Sequence, residues 1–391
     1  MALDFDGSRL HNPYLTPEHE NWRTQLRRFA ESEVRPNIDK WEESGSIPVE
    51  LWSKAAEIGM LQIGFPEEYG GVSQGIDHFY LNMVTEELTR AGSAGGLLSN
   101  LMIHTIGLPP VINFGSASLR EHVAPAVLAG NSWISLAVTE PSGGSDVANL
   151  RTTADRDGAC FVVNGSKTLI SGIMRADWVC TAVRTGGQGA SGISVLAIPT
   201  DLAGVSRTPL RQKQGWWCAD TGAIYFDHVR VPTEYLVGEE GQGFRVLMKN
   251  FNSERLVMSA TMDAAARVCL EEAATWARDR RTFGKRLADH QVIRHKIASM
   301  KQRVNATQAY LQHMTHAYDE KRCHPGDLAL LKVQAGETME FCAREASQIL
   351  GGASYLRGNR VERFYREVRV NTIGGGSEEI MRDLAASRHD L

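Results

Sequence analysis

The sequence predicts an α+β chain in which a β domain is set between two helical ones, and two changes of pattern say so. From Thr16 to about Gly130 apolar residues recur at helical spacing. From about Asn131 to Gly238 they gather in short β-branched runs, and after Gly241 the helical spacing returns to the end. The expected domains are therefore 1–130, 131–238 and 239–391. No internal repeat or low-complexity tract competes with this division.

In the first domain, Thr16 followed by Pro17 supplies an N-cap residue and a first-turn proline, and Trp22, Leu26, Phe29 and Val34 recur near helical spacing. Further helices are expected over 49–60 and 78–90, with Gly70-Gly71 and Gly95-Gly96 marking loops. In the second domain, runs 160–163, 178–183 and 193–198 read as strands, and Asn164-Gly165 is a hairpin turn signal. The run 224–232 is a strand closed by Pro232, with Gly238 beyond it. In the third domain, Ile293, Ile297, Met300, Val304, Leu311, Met314 and Tyr318 form an apolar seam that must face other helices. A helix from about Asp327 to Leu350 stops at Gly351-Gly352, and Ser377 is a candidate N-cap for a last helix that begins with Glu378 and Glu379.

Composition narrows the function classes. At 391 residues and 42% hydrophobic content, the chain can bury a large core. A net charge of -4 without long like-charge runs argues against nucleic acid or an anionic membrane as partner. The start, Met1 to Asp6, lacks the basic-then-apolar order of a signal peptide, and no apolar run reaches the length of a membrane span. Six scattered cysteines without a CxxC pair read as reduced packing thiols of a cytoplasmic protein. The histidines show no HExxH spacing, so no metal site is expected.

Two glycine-rich segments invite a functional reading. Gly187-Gln188-Gly189-Ala190-Ser191-Gly192 satisfies GxGxxG, but it leads into another strand and not a helix. No helix dipole then faces a pyrophosphate, so the segment reads as a hairpin loop. The other follows the apolar run Trp133–Ala137: Val138-Thr139-Glu140-Pro141-Ser142-Gly143-Gly144-Ser145-Asp146. Small hydroxylated residues at a strand end let backbone and side-chain donors approach a flat or anionic ligand, which reads as half of a cofactor pocket.

This second segment resembles the "TEP..GSD" signature of the acyl-CoA dehydrogenases, flavoproteins that remove two hydrogens from carbons α and β of a CoA thioester. The resemblance continues in order along nearly the whole chain. Asn164-Gly165-Ser166-Lys167 with Leu169-Ile170-Ser171-Gly172 is similar to the family hairpin whose Ser or Thr lies beside the flavin ring. Residues 224–238 are similar to the end of the family's β domain, a structural part. Arg280-Arg281-Thr282-Phe283-Gly284-Lys285 with Gln291, and Gln348-Ile349-Leu350-Gly351-Gly352, resemble blocks that reach the FAD of a neighbouring subunit.

The resemblance implies a barrel-like middle sheet, a C-terminal four-helix bundle, and FAD lined by Leu136, Val138, Thr139, Gly144, Ser145, Leu169 and Ser171, with Ser377 and Glu379 of the same chain. Arg280, Phe283, Gln291, Gln348 and Gly352 would complete a neighbour's site, the guanidinium on a pyrophosphate and the Phe over an aromatic ring. A shared site requires an oligomer, and the family implies a homotetramer built as a dimer of dimers. An electron-transfer flavoprotein is the implied electron acceptor, although no docking motif for it is visible.

The segment 365–380 resembles the family's catalytic loop, yet Gly375 stands where many members carry the catalytic Glu. In the branch that includes isovaleryl-CoA and long-chain dehydrogenases, a helix Glu in an "ERL" context replaces it. Asn252-Ser253-Glu254-Arg255-Leu256 matches that context, which makes Glu254 the expected base, with Glu378 and Glu379 as rivals. The Gly375 N–H could still bond the thioester carbonyl, together with a flavin ribityl hydroxyl. Ser145, Phe251, Arg255 and Gly375 are the implied substrate contacts. Two alternatives stay open: another flavin reaction on the same scaffold, such as an oxidase, monooxygenase or desulfinase, or a CoA-thioester-binding scaffold without turnover. A base on the helix is compatible with long-chain or branched acyl groups, and Trp216-Trp217 reads as interdomain core.

Overall fold

The computed structural model describes residues 3–390. Helix α1 (Pro17–Phe29) starts after Thr16, whose extended backbone sets up the cap, and buries Trp22, Leu26 and Phe29. It runs on into a π turn, Ala30–Val34, and the five-residue step from Phe29 to Val34 keeps both residues on the buried face. Next come α2 (Ile38–Ser44) and α3 (Glu50–Glu57). The latter is shorter than the expected 49–60 because Gly59 takes a left-handed φ of +82°. Helix α4 (His78–Arg90) is capped by Asp77, which accepts from the Phe79 N–H at 2.9 Å. Short turns α5 (Leu98–Leu101), α6 (His104–Gly107) and α7 (Pro109–Phe114) lead to α8 (Ala117–Leu128).

The strands are β1 (Ile134–Ala137), β2 (Thr153–Asp157), β3 (Cys160–Ser171), β4 (Trp178–Arg184), β5 (Ile193–Pro199), β6 (Val205–Pro209) and β7 (Thr221–Pro232). They form one mixed sheet in the order β1-β4-β2-β3-β7-β6, with β5 on the other edge of β4. Strand β1 runs parallel to β4, pairing Ile134 with Trp178, whereas the β3–β7 and β4–β5 pairs are antiparallel. Strands β4 and β5 are apolar almost throughout because alternate residues serve two cores. Cys180, Ala182, Val195 and Ala197 face the helices, and Val179, Val183, Leu196 and Ile198 face Phe161 and Phe226 inside the sheet. The GxGxxG segment is the β4–β5 hairpin loop. Its Gly187 and Gly189 carbonyls accept from Arg184, so the loop aims acceptors inward and offers no anion cradle.

The C-terminal bundle is α9 (Gly243–Asp279), a hairpin of β8 (Arg281–Thr282) and β9 (Lys285–Arg286), α10 (Gln291–Asp319), α11 (Pro325–Leu350), α12 (Arg360–Ile373) and α13 (Glu378–Arg388). Short connections run α9, α10 and α11 up and down around a core that includes Met262, Leu270, Met300, Val304, Met339, Cys342 and Phe364. Helix α12 is tied to the loop after α4: Glu367 Oε2 accepts from the Ala94 N–H at 2.6 Å, and Asn371 Nδ2 donates to the Ala94 carbonyl at 2.8 Å. Trp216 packs its ring on Gly95, where a Cβ would lie 2.4 Å from it, and Trp217 sits under the Arg366 guanidinium at 3.7 Å. The pair fills space between domains. All six cysteines are free, and no helix of the described residues is long and apolar enough to cross a membrane.

Candidate active site

The end of β1, the turn after it and the end of β3 form one shelf. Ser135 Oγ donates to the Ser171 carbonyl at 2.8 Å, and the Thr168 N–H donates to the Thr139 carbonyl at 2.9 Å, so the two segments are stitched edge to edge. Beneath the turn lies an ion pair that sequence reasoning missed. Lys167 Nζ, fully buried, donates to Glu140 at 2.8 Å and to the Val138 carbonyl at 3.1 Å. Glu140 also accepts from the Arg151 and Thr152 N–H groups. Burial works against the Glu140 charge, yet Lys167 and Thr152 hold its carboxyl down at about 2, while burial lowers Lys167 to about 8. The signal was available in principle: a lysine inside an apolar strand needs a buried partner.

On this shelf Leu136, Val138, Thr139 and Ser171 are half-buried, and Gly144 and Ser145 are exposed at its rim. Leu169 stands 64% exposed at a break in the β3–β7 register, with a left-handed φ of +60°. An apolar side chain held up by a strained backbone beside half-buried hydroxyls suits the edge of a flat aromatic ligand. Leu136 and Val138 pack against the same cluster as Phe251 of α9, which brings that helix alongside the shelf.

One turn further along α9 is Glu254. The residue keeps some exposure, but its Oε2 is enclosed and meets no hydrogen-bond donor. A Cβ built on Gly375 would lie 3.8 Å from Glu254 Oε1 and 2.7 Å from Met258 Sδ. Two residues far apart in sequence therefore share one small space, and a side chain at 375 would crowd it. Burial pushes the Glu254 carboxyl up to about 7, although Arg255 and Lys332 pull it the other way. Arg255 is buried and turned inward: Nε donates to the Gly375 carbonyl at 3.3 Å and Nη1 to Asn252 Oδ1 at 3.3 Å. Its direct partner is the loop. The rival carboxylates are held differently. Glu378 pairs with Arg382 at 3.3 Å, and Glu379 is exposed in the first turn of α13, where Ser377 caps the Ile380 N–H.

The remaining expected cofactor residues are at the opposite end of the bundle. Arg280, Phe283, Gln291, Gln348 and Gly352 are all exposed where α9 ends, α10 begins and α11 ends. The Lys296–Glu345 ion pair joins α10 to α11 there, and the Arg280 carbonyl accepts from the Leu287 N–H at 2.7 Å. Along α9 this patch is about 39 Å from Glu254 at 1.5 Å per residue. A single chain thus leaves these five residues apart from the shelf.

Among the described residues one group has metal-capable atoms in reach of one another: His324, Asp327 and His389, within 4.8 Å. It joins the start of α11 to the end of α13, with His389 Nε2 3.1 Å from Asp327 Oδ1, outside the site above.

Three family models match in chain order: the acyl-CoA dehydrogenase N-terminal domain over residues 16–131, the middle domain over 135–229 and the C-terminal domain over 241–389. The chain belongs to the acyl-CoA dehydrogenase family. It is similar to acyl-CoA dehydrogenase AFT10-1 of Alternaria alternata, 36% identical over 401 aligned positions that cover 97% of this chain and 93% of that protein. It is 32% identical to the mitochondrial long-chain specific acyl-CoA dehydrogenase of Sus scrofa, over 95% of this chain and 86% of that one. Its fold matches the crystal structure of a probable acyl CoA dehydrogenase from Mycobacterium abscessus with a TM-score of 0.93 and 42% identity, covering 96% and 99% of the two chains. As an acyl-CoA dehydrogenase the chain is an FAD-dependent oxidoreductase, and the exposed Leu169 and the half-buried hydroxyl shelf fit that cofactor.

Proposed function

We propose that this acyl-CoA dehydrogenase converts an acyl-CoA thioester to the trans-2-enoyl-CoA with Glu254 as general base. The observation that carries the reading is Glu254, whose Oε2 is enclosed without a donor and whose Oε1 adjoins Gly375. A carboxylate that lacks donors and titrates near 7 gains by taking a proton, which suits removal of the α hydrogen of a thioester. The Gly375 N–H, which meets no protein acceptor among the described residues, would bond the thioester carbonyl and hold the negative charge that builds there as the proton leaves. FAD, when bound, accepts the hydride from the β carbon. Leu136, Val138 and Leu169 would wall its ring, Thr139, Ser145 and Ser171 would supply hydroxyls, and Ser377 and Glu379 would approach from the loop side.

Arg280, Phe283, Gln291, Gln348 and Gly352 would serve the cofactor of a second copy, in a tetramer built as a dimer of dimers. Their exposure and their distance from the shelf support this arrangement. An electron-transfer flavoprotein as acceptor and a cytoplasmic location complete the reading. The test is anaerobic mixing of the holoenzyme with acyl-CoA thioesters of graded length and branching, watching flavin absorbance. Bleaching by one class identifies the substrate. A Glu254→Gln enzyme that turns over as fast as the native one would point to a different flavin reaction.

A further inference from the structure

We infer that Lys332 is a positioning residue of this reaction: from α11 it clamps the tri-glycine bend so that the Gly375 N–H stays aimed at the thioester carbonyl oxygen while the Glu254 carboxylate faces the adjacent α carbon. The inference rests on the reading of Glu254 as base.

Lys332 is 2% exposed and stands among Leu328, Ala329, Leu331 and Val333, where an ammonium is costly without a purpose. Among the described residues it forms no ion pair. Its Nζ donates instead to the Gly376 carbonyl at 2.5 Å and the Thr372 carbonyl at 3.5 Å. The second contact satisfies an open carbonyl at the end of α12, a position that favours a cation. The first grips the bend itself. Gly375 and Gly376 have φ of +66° and +107°, and three glycines in succession have little stiffness of their own.

The bend is held from each side. The Gly374 N–H donates to the Val370 carbonyl at 2.8 Å, Arg255 takes the Gly375 carbonyl, Lys332 takes the Gly376 carbonyl, and Ser377 caps α13. Two cations from two helices thus fix successive carbonyls and leave the Gly375 N–H clear. The charged groups that bear on Lys332 are Glu254 and Arg255 from α9 and Glu378 from α13. Burial lowers Lys332 to about 8, so it still carries most of its charge at neutral pH.

The test compares native, Lys332→Met, Lys332→Arg and Glu254→Gln holoenzymes. Methionine keeps the length of the buried stem and removes the donors. With Lys332→Met, FAD content should hold while anaerobic flavin reduction slows by at least about tenfold, less than the roughly hundredfold to thousandfold cost of deleting an oxyanion donor because the Gly375 N–H is displaced and not removed. Loss of the neighbouring cation should also move the acid limb of the rate–pH profile up by about one unit. A binding readout is independent of turnover. Native enzyme should prefer a thioester over the thioether in which CH2 replaces the carbonyl, and Lys332→Met should lose that preference. The native rate should fall as pH rises through about 8, where Lys332 loses its proton and its grip on the bend, and Lys332→Arg, which stays charged, should recover part of the rate lost in Lys332→Met and abolish that alkaline fall.

Native rate, limb and thioester preference in Lys332→Met would overturn the inference, as would a slower enzyme with limb and preference unmoved. An unaltered alkaline fall in Lys332→Arg would do so even if the Met protein failed to fold. If Glu254→Gln is inactive while Lys332→Met behaves as native, this inference falls alone. A fully active Glu254→Gln removes both it and the base assignment.

Discussion

The two ends of the C-terminal bundle are built from the same helices and have opposite characters. At one end Glu254, Arg255 and Lys332 are drawn inward around Gly375, with one carboxylate oxygen left without a donor. At the other, Arg280, Phe283, Gln291, Gln348 and Gly352 stand in solvent. The difference teaches that one chain encloses the carboxylate proposed as base, whereas the residues proposed to grip a neighbour's cofactor lie open to solvent.

The sharpest way to break this comparison is at the enclosed end. Glu254→Gln should slow anaerobic flavin reduction by about a hundredfold to ten-thousandfold while acyl-CoA binding persists, which stopped-flow and titration would separate. The native rate should climb as pH rises through about 7, because the reactive form of Glu254 is the carboxylate, and should fall toward tenfold per unit below that pH. At the exposed end, Arg280→Ala and Glu254→Gln should each be inactive alone. Coexpressed, they should form mixed oligomers with activity, since one site then combines a native Glu254 with a native Arg280. Absence of complementation in purified mixed oligomers would argue that the five residues serve no neighbour.

A smaller effect tests whether the shelf beside the enclosed end depends on its hidden ion pair. Lys167→Met strands Glu140 in the interior and should cost about 3–5 kcal/mol in chemical unfolding. The smallest change expected is at the bend. Gly375→Ala puts a Cβ 2.7 Å from Met258 Sδ at a left-handed φ, a strain of about 1–2 kcal/mol, so the rate should drop severalfold with FAD retained.

Much of the architecture was legible because it follows from local pattern. The helix expected over 78–90 is α4, and Gly351 ends α11. The double apolar face of β4 and β5 was visible only as strand, since which core each residue enters depends on what packs above and below. In the candidate site, motif order located Glu254 and Gly375, but no spacing rule brings them within one space. The inward turn of Arg255 and the burial of Lys332 were hidden for a physical reason. A lone basic residue on a helix reads as solvated until the helix is rotated into its bundle, and only then does it need carbonyls to bond. The π turn at Ala30–Val34 escaped because a five-residue step looks like an imperfect helical one.

Phe283 is 96% exposed at the tip of the β8–β9 hairpin, with φ at +49°. The hairpin carries the ring outward, where it lies in water in a solitary copy. In the proposed oligomer, covering it would be worth about 1.5–3 kcal/mol, which a single copy forgoes. Extreme dilution should therefore favour release of cofactor and clumping of orphaned copies, well before the fold itself melts.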